Sequence, residues 1–386
     1  MDGADATGHP DIAVFLYEPG DGGLDRVAIL LANGFAARGL RTEIWLTRTD
    51  GPSRFLLADT VTVRIVPALR TRNRGLALAL QVFSLARMVK RHEPAVLLSA
   101  GNQSNLTIAL ATRMARNGRT AAIQKITNPI ARPGGRGRFQ AIREWRFGLT
   151  ARLGAKTLTL SEADARTYAS AYPAAASKFV MVHNPYVTDA MLAIGAARQN
   201  RLATNGPVQL LSVARFSPQK DHANLINALS LIKELDWQIT LAGDGYLRAE
   251  CEAQVSALGL ADRVHFAGFV DDPARLFAAA DVFVLSSRWE GMPAVPIEAL
   301  ACGCLLVATD CAPGLRDVIV AAGLSAPVPV GDTRALADAI RVAMATTPDL
   351  RQARAIASNY ALEASVTDHV RLFAPFLPSF ASAREN

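Results

Sequence analysis

The sequence predicts an α/β chain built from two doubly wound parallel-sheet domains in tandem, facing each other across a cleft. Three observations predict it. At 386 residues, half of them hydrophobic, the chain is longer than one ordinary domain and has enough apolar material for two cores. Short runs rich in β-branched residues alternate with longer runs at helical spacing, the pattern of strand–helix–strand crossovers that build a parallel sheet. A polar stretch ending in Gly-Pro, "AARQNRLATNGP" (196–207), interrupts this alternation near the middle and reads as a linker.

In chain order, the first series of strand-like runs is "IAVFLYE" (12–18), "RTEIWLT" (41–47), "VTVRIV" (61–66), "AVLLSA" (95–100), "TAAIQKI" (120–126) and "KTLTLS" (156–161). Helical patterns such as "LDRVAILLANGFAARG" (24–39) separate most of them, so they form one Rossmann-like domain that ends near "MVHNPYV" (181–187), within residues 1–195 ahead of the linker. The second series is "VQLLSVAR" (208–215), "WQITLAG" (237–243), "RVHFAGFV" (263–270), "DVFVLSS" (281–287) and "CLLVATD" (304–310), which makes 208–361 a second Rossmann-like domain. The tail, 362–386, contains the helical pattern "ASVTDHVRLFAPFL" and is expected to return to the first domain.

The formal net charge is +7, which points to anionic partners without naming them. Four cysteines, Cys251, Cys302, Cys304 and Cys311, include no CxxC and lie mostly in apolar strand context, so they read as small buried hydrophobes rather than a metal site. The N-terminus lacks the basic leader and apolar core of a signal peptide, and no uncharged apolar run reaches the ~18 residues of a membrane span. A cytoplasmic location is the expectation.

The richest stretch is "SSRWEGMPAVPIEAL" (286–300). It places Glu290 in a loop after a strand and Glu298 one turn into a helix, with Pro296 as an early helical residue. Two ionised carboxylates so spaced are good acceptors for sugar hydroxyls. Glu298 also has a plainer reading, an acid favoured near a helix N-terminus. In "SVARFSPQKD", Arg215 ends a strand and Lys220 follows five residues later before a helix, an arrangement that suits a diphosphate or, equally, two solvated surface cations. Gly22 and Gly23 open the first helix where backbone can approach a ligand, although an ordinary βα turn explains them nearly as well. "AGDGYLR" (242–248) repeats that pattern. Gly268, Phe269 and Val270 end another strand, either to hold a base by main-chain bonds or simply to pack.

In their order and spacing, "GGLDRV", "SVARFSPQKD", "LAGDGYLR", "VHFAGFVDDP", "SSRWEGMPAVPIEALACG", "ATDCAPGLRDVI" and "VPVGDTRALADAI" resemble the retaining, family-four glycosyltransferases of the GT-B fold. The match covers nearly all of the second domain and, more thinly, the first. The resemblance implies a nucleotide-sugar donor in the second domain, with Arg215 and Lys220 on its diphosphate, Glu298 on the ribose and Glu290 on the donor sugar. It implies sugar and phosphate contacts from the amides of Gly291, Met292, Ala294 and Val295, a base flanked by Gly268 to Val270, and phosphates met by Gly22 and Gly23. It further implies transfer without a metal or other cofactor, to a glycan or lipid-linked acceptor in polysaccharide, lipopolysaccharide or glycolipid assembly. One departure stands out. Where the family commonly carries His–Asn facing the sugar, "AIQKITNPIARP" has Thr127 and Asn128, with Lys125 as an alternative partner; His183 reads as structural.

Two further readings use other features. A GT-B epimerase would need acid–base groups in the cleft that the first domain hardly supplies. A basic module would use "RPGGRGRFQAIREWRFGLTAR" (132–152), helped by "RTRNRG" (70–75). Its plainer reading is a solvated basic helix. If it is functional, Arg132, Arg136, Arg138, Arg143 and Arg146 suit an anionic membrane surface beside a lipid-linked acceptor better than nucleic acid.

Overall fold

The computed structural model describes residues 8–20, 22–68, 74–130, 137–198, 206–346 and 349–377, the side chains of 74–76 excepted. Two compact units result: residues up to Pro185 together with those from Leu362 onward, and Tyr186–Ala361.

In the first unit β1 (Ile12–Leu16) leads through α1 (Gly23–Ala37) to β2 (Thr42–Leu46) and β3 (Thr62–Ile65). Next come α2 (Arg74–His92), β4 (Val96–Ser99), α3 (Asn105–Ala115) and β5 (Ala121–Lys125). Then α4 (Arg138–Leu153), β6 (Lys156–Thr159), α5 (Glu162–Ala171) and β7 (Phe179–Met181) follow. The sheet runs β3-β2-β1-β4-β5-β6-β7, parallel throughout, with Val14 in register with Ile44 on one side and Leu98 on the other. Strands of a doubly wound sheet have no wet face, and β1, β2 and β5 are accordingly buried at every position. The sequence predicts six strands here. The seventh, β7, has only three residues and too little pattern to show.

The second unit begins with α6 (Asp189–Ala197), β8 (Val208–Val213), α7 (His222–Ser230) and β9 (Trp237–Ala242). It continues with α8 (Arg248–Ala257), β10 (Val264–Gly268), α9 (Ala274–Ala279), β11 (Val282–Leu285), α10 (Ala294–Ala301) and β12 (Leu305–Ala308). Three helices complete it: α11 (Pro313–Ala321), α12 (Thr333–Ala345) and α13 (Arg351–Ser358). The sheet order is β10-β9-β8-β11-β12, again all parallel.

The division falls between Pro185 and Tyr186, inside "MVHNPYV" (181–187), so residues 186–195 belong to the second unit. The reason is packing. Helix α6 lies on α10 and α13, so close that a Cβ at Gly195 would sit 1.9 Å from the Ala301 carbonyl oxygen. Arg198, inside the expected 196–207 linker, donates to the carbonyls of Phe277 at 3.2 Å and Cys302 at 3.4 Å. The linker therefore starts bound into the second unit; residues 199–205 lie outside the described residues.

The tail helix α14 (Leu362–Phe373) packs on α1 in the first unit. A Cβ at Gly34 would come within 2.3 Å of Val366, so that glycine is what lets the two helices approach. Phe35 then meets Phe373 with ring centroids 5.8 Å apart. His183 has a structural place: its Nδ1 lies 2.8 Å from the Asp368 carboxylate, and its carbonyl accepts from Ser365 Oγ at 2.5 Å. All four cysteines are buried free thiols. Burial pushes Cys251 and Cys304 up to about 11 and Cys302 and Cys311 up to about 12, which fits inert apolar packing.

Candidate active site

Parallel open sheets take ligands beyond the carboxyl ends of their strands, at the point where the strand order reverses. In the second unit that point lies between β8 and β11, adjacent strands whose onward connections run in opposite directions. The β8 loop carries Arg215 and Lys220, and the β11 loop carries Glu290. Residues 75 positions apart in the chain (290 − 215 = 75) thus share one crevice mouth.

Lys220 and Glu290 are in direct contact. The Lys220 ammonium pairs with Glu290 Oε1, which also accepts from Ser287 Oγ at 2.8 Å, while Oε2 accepts from Gln219 Nε2 at 3.1 Å. Glu290 is only 7% exposed. The sequence predicts an open acceptor; the structure shows a carboxylate already held by three side chains. Backbone and side-chain bonds stitch the two loops together: Arg288 N donates to Gln219 O at 2.7 Å, Ser286 Oγ to Lys220 O at 2.8 Å, and Gln219 Nε2 to Trp289 O at 2.8 Å. Asp221, left-handed at φ 51°, is clamped by Arg288 Nε at 2.8 Å. Neither Gln219, Ser287 nor the Asp221–Arg288 pair stood out in the sequence, because polar residues in loops carry no spacing signal of their own.

Arg215 is exposed, five residues upstream of Lys220 in the same loop. What fixes its backbone is "AGDGYLR". Gly243 and Gly245 have φ of 132° and 153°, and a Cβ on either would lie 2.1 Å from Ala214 O or 2.3 Å from Phe216 O. Phe216 N bonds Asp244 O at 2.9 Å. These glycines serve the close approach of one loop to another and leave the Arg215 guanidinium at the surface. Behind the loop, His222 stacks on Phe216 at 4.2 Å, and neither of its ring nitrogens has a hydrogen-bond partner among the described residues. Burial, then the nearby Lys220 charge, lower its pKa to about 4, so it is neutral at pH 7.

Helix α10 starts at Ala294 behind Pro293, with Pro296 third. Both prolines lack an N–H, so Ala294 and Val295 supply the free amides of the first turn. Both are half-buried, as are Gly291 and Glu298. Met292 is buried, and its carbonyl is taken by Tyr186 Oη at 3.1 Å. At the β10 end Gly268 has φ 72° and its carbonyl accepts from Gly243 N at 2.7 Å. Phe269 is 68% exposed, against the reading of it as a packing residue, while Val270 is half-buried.

In the first unit Gly22 caps α1 with φ −78°, and a Cβ at Gly23 would meet nothing within 4 Å. Thr127 and Asn128 follow β5 and are fixed by Asn102, which accepts from Thr127 N at 2.8 Å and donates to Asn128 O at 2.8 Å. Lys125 requires a correction as a sugar contact. It is 2% exposed, with Nζ 3.4 Å from His369 Nε2, so its side chain is buried against α14 instead of open to a sugar. Arg138, Arg143 and Arg146 lie on α4; Arg132, Arg136 and the 70–73 part of "RTRNRG" lie outside the described residues.

Two doubly wound parallel-sheet units in one chain are the components of the GT-B architecture. Residues 21–190 match the model of Glycosyltransferase Family 4 and residues 195–361 that of glycosyl transferases group 1, and the chain belongs to this family. An N-acetylgalactosamine-N,N'-diacetylbacillosaminyl-diphospho-undecaprenol 4-alpha-N-acetylgalactosaminyltransferase of Campylobacter jejuni is 37% identical over 109 residues, 28% of this chain and 30% of the relative. The lipopolysaccharide core biosynthesis mannosyltransferase LpsB of Rhizobium meliloti is 32% identical over 141 residues, 33% of this chain and 40% of the relative. The matches thus span less than half of these relatives' lengths. Anabaena HepE, solved in complex with UDP and glucose, is similar with a TM-score of 0.72 at 21% identity, over 94% of this chain and 99% of that one. At that identity the likeness shows the fold.

Proposed function

We propose that the chain is a retaining, metal-independent hexosyltransferase. It moves a sugar from a nucleoside diphosphate to a glycan or lipid-linked acceptor in polysaccharide, lipopolysaccharide or glycolipid assembly. The observation that carries this reading is the Lys220–Glu290 pair at the switch point of the second unit. The named relatives, which build glycans on lipid or lipopolysaccharide, support the pathway class.

In this reading the arriving diphosphate replaces Glu290 as the partner of Lys220, and Arg215 adds a second cation. Glu290 stays held by Ser287 and Gln219 and turns its freed lone pairs to sugar hydroxyls. Glu298 takes the ribose, the Ala294 and Val295 amides the phosphate and sugar, and the Gly268–Val270 edge the base. As the C1–O bond breaks, its electron pair goes to the leaving phosphate, whose charge Arg215 and Lys220 stabilise. That phosphate oxygen accepts the acceptor hydroxyl's proton while the new C1–O bond forms on the same face. Glu290→Ala and Lys220→Ala are each expected to cost about 10²–10³ in turnover, the scale of removing one group that stabilises developing charge. A transfer assay showing wild-type rates in both folded variants overturns the assignment.

Peripheral membrane contact belongs to the same proposal. No helix among the described residues is long and apolar enough to cross a membrane, but α4 exposes Phe139 (81%), Ile142 (51%) and Trp145 (69%) beside Arg138, Arg143 and Arg146. Aromatic and aliphatic groups among cations suit an anionic interface. Co-flotation with phosphatidylglycerol vesicles that weakens as salt rises is expected; flotation indifferent to lipid charge and salt contradicts it.

A further inference from the structure

A groove of about 760 Å³ runs through the first unit between α2, α3 and α4, within the ~300–1,000 Å³ typical of drug-sized ligand sites. One end lies at Asn102 and Asn128, in the loops after β4 and β5 at the carboxyl edge of the sheet. The other opens at Phe139 and Ile142, both exposed. Between these ends the walls mix an apolar strip, Val82, Leu106 and Leu110, with the polar Gln103 and Thr107. Arg143 and Arg146 also line it, and among the described residues no Asp or Glu does. Among the described residues Arg143 donates to the Ile130 carbonyl alone, at 3.4 Å, and neither arginine is in an ion pair.

This combination selects an occupant. A free glycan would leave the Val82, Leu106 and Leu110 strip unmatched, and a membrane surface, which suits the exposed Phe139 and Trp145, does not by itself fill a groove. An apolar chain joined to an anionic group matches both features: the chain covers the strip, and two uncompensated guanidinium forks meet phosphate oxygens. We propose that this groove binds the phosphate-bearing lipid of a lipid-linked acceptor. The chain lies along α2 and α3, the phosphates sit at Arg143 and Arg146, and the sugar end points toward Asn128. The assignment rests on the transferase reading and narrows its acceptor to a prenyl or acyl phosphate ester.

The test uses farnesyl diphosphate as probe on the full chain, by isothermal titration, with ADP, CDP, GDP, TDP and UDP measured in parallel. Arg143→Ala/Arg146→Ala is expected to weaken farnesyl diphosphate binding tenfold or more. Ala79→Trp, which fills the groove from an exposed position, is expected to do the same. Neither should alter nucleoside diphosphate binding, which also reports that each variant is folded. The proposal is overturned if the wild type does not bind the probe, if inorganic diphosphate binds as well, or if both variants bind like wild type. A chain that binds a nucleoside diphosphate but not the probe loses the groove assignment and keeps the transferase reading.

Discussion

Lys220 and Glu290 hold one another in a crevice where each lies mostly out of water, with 22% and 8% of their side-chain surfaces exposed. Removing one partner of such a pair leaves the other charge uncompensated, at about 3–5 kcal/mol when burial is complete. Lys220→Ala is therefore expected to lower stability as well as turnover. Glu290→Gln separates the two effects: it keeps the side chain's shape and an oxygen for Ser287 Oγ, so turnover should fall with a smaller loss of Tm. These residues were legible because each follows a strand run and precedes a helix start, both local signals. Lys125 was misread for the opposite reason. Its position in "TAAIQKI" says only that it sits in a strand; what covers it is His369, 244 residues away in sequence.

Helix α14 and strand β5 meet at that buried pair. Burial brings the Lys125 pKa down to about 7, and burial followed by the Lys125 charge holds His369 well below its ordinary value. An unfolded lysine titrates near ~10.4, so between about pH 7 and 10 the unfolded chain holds a proton that the folded one has released. Stability from this group thus rises with pH through that window, by up to about 1.4 kcal/mol per pH unit. Its penalty is greatest at pH 7 and below and disappears above 10. Urea unfolding of Lys125→Met against wild type checks it: the variant's advantage should shrink from pH 7 to pH 9, and a constant difference would show that Lys125 is charged throughout. Other elements were easier to read. Pro296 near the start of a helix identified α10, whereas α6 resembled the end of the first domain because its contacts with α10 and α13 are all distant in sequence.

Across the molecule, the strand–helix alternation disclosed two parallel-sheet units. It did not disclose strand order. That order, 3-2-1-4 onward in the first unit and its counterpart in the second, depends on which way each crossover turns, and only it shows that the loops after β8 and β11 are neighbours. The tail's helical pattern was legible as α14, whereas its seat on α1 depends on contacts distant in sequence.

The central claim is that the β8–β11 crevice of the second unit binds a nucleoside diphosphate through Lys220. A ligand that binds only the folded state at a hundred times its Kd adds about 2.7 kcal/mol, enough to move Tm by several degrees. Thermal unfolding of wild type and Lys220→Ala with ADP, CDP, GDP, TDP and UDP in turn is the most direct measurement. At least one should raise the wild-type Tm by several degrees and leave the variant unmoved. No shift with any of them, or equal shifts in both proteins, would contradict it.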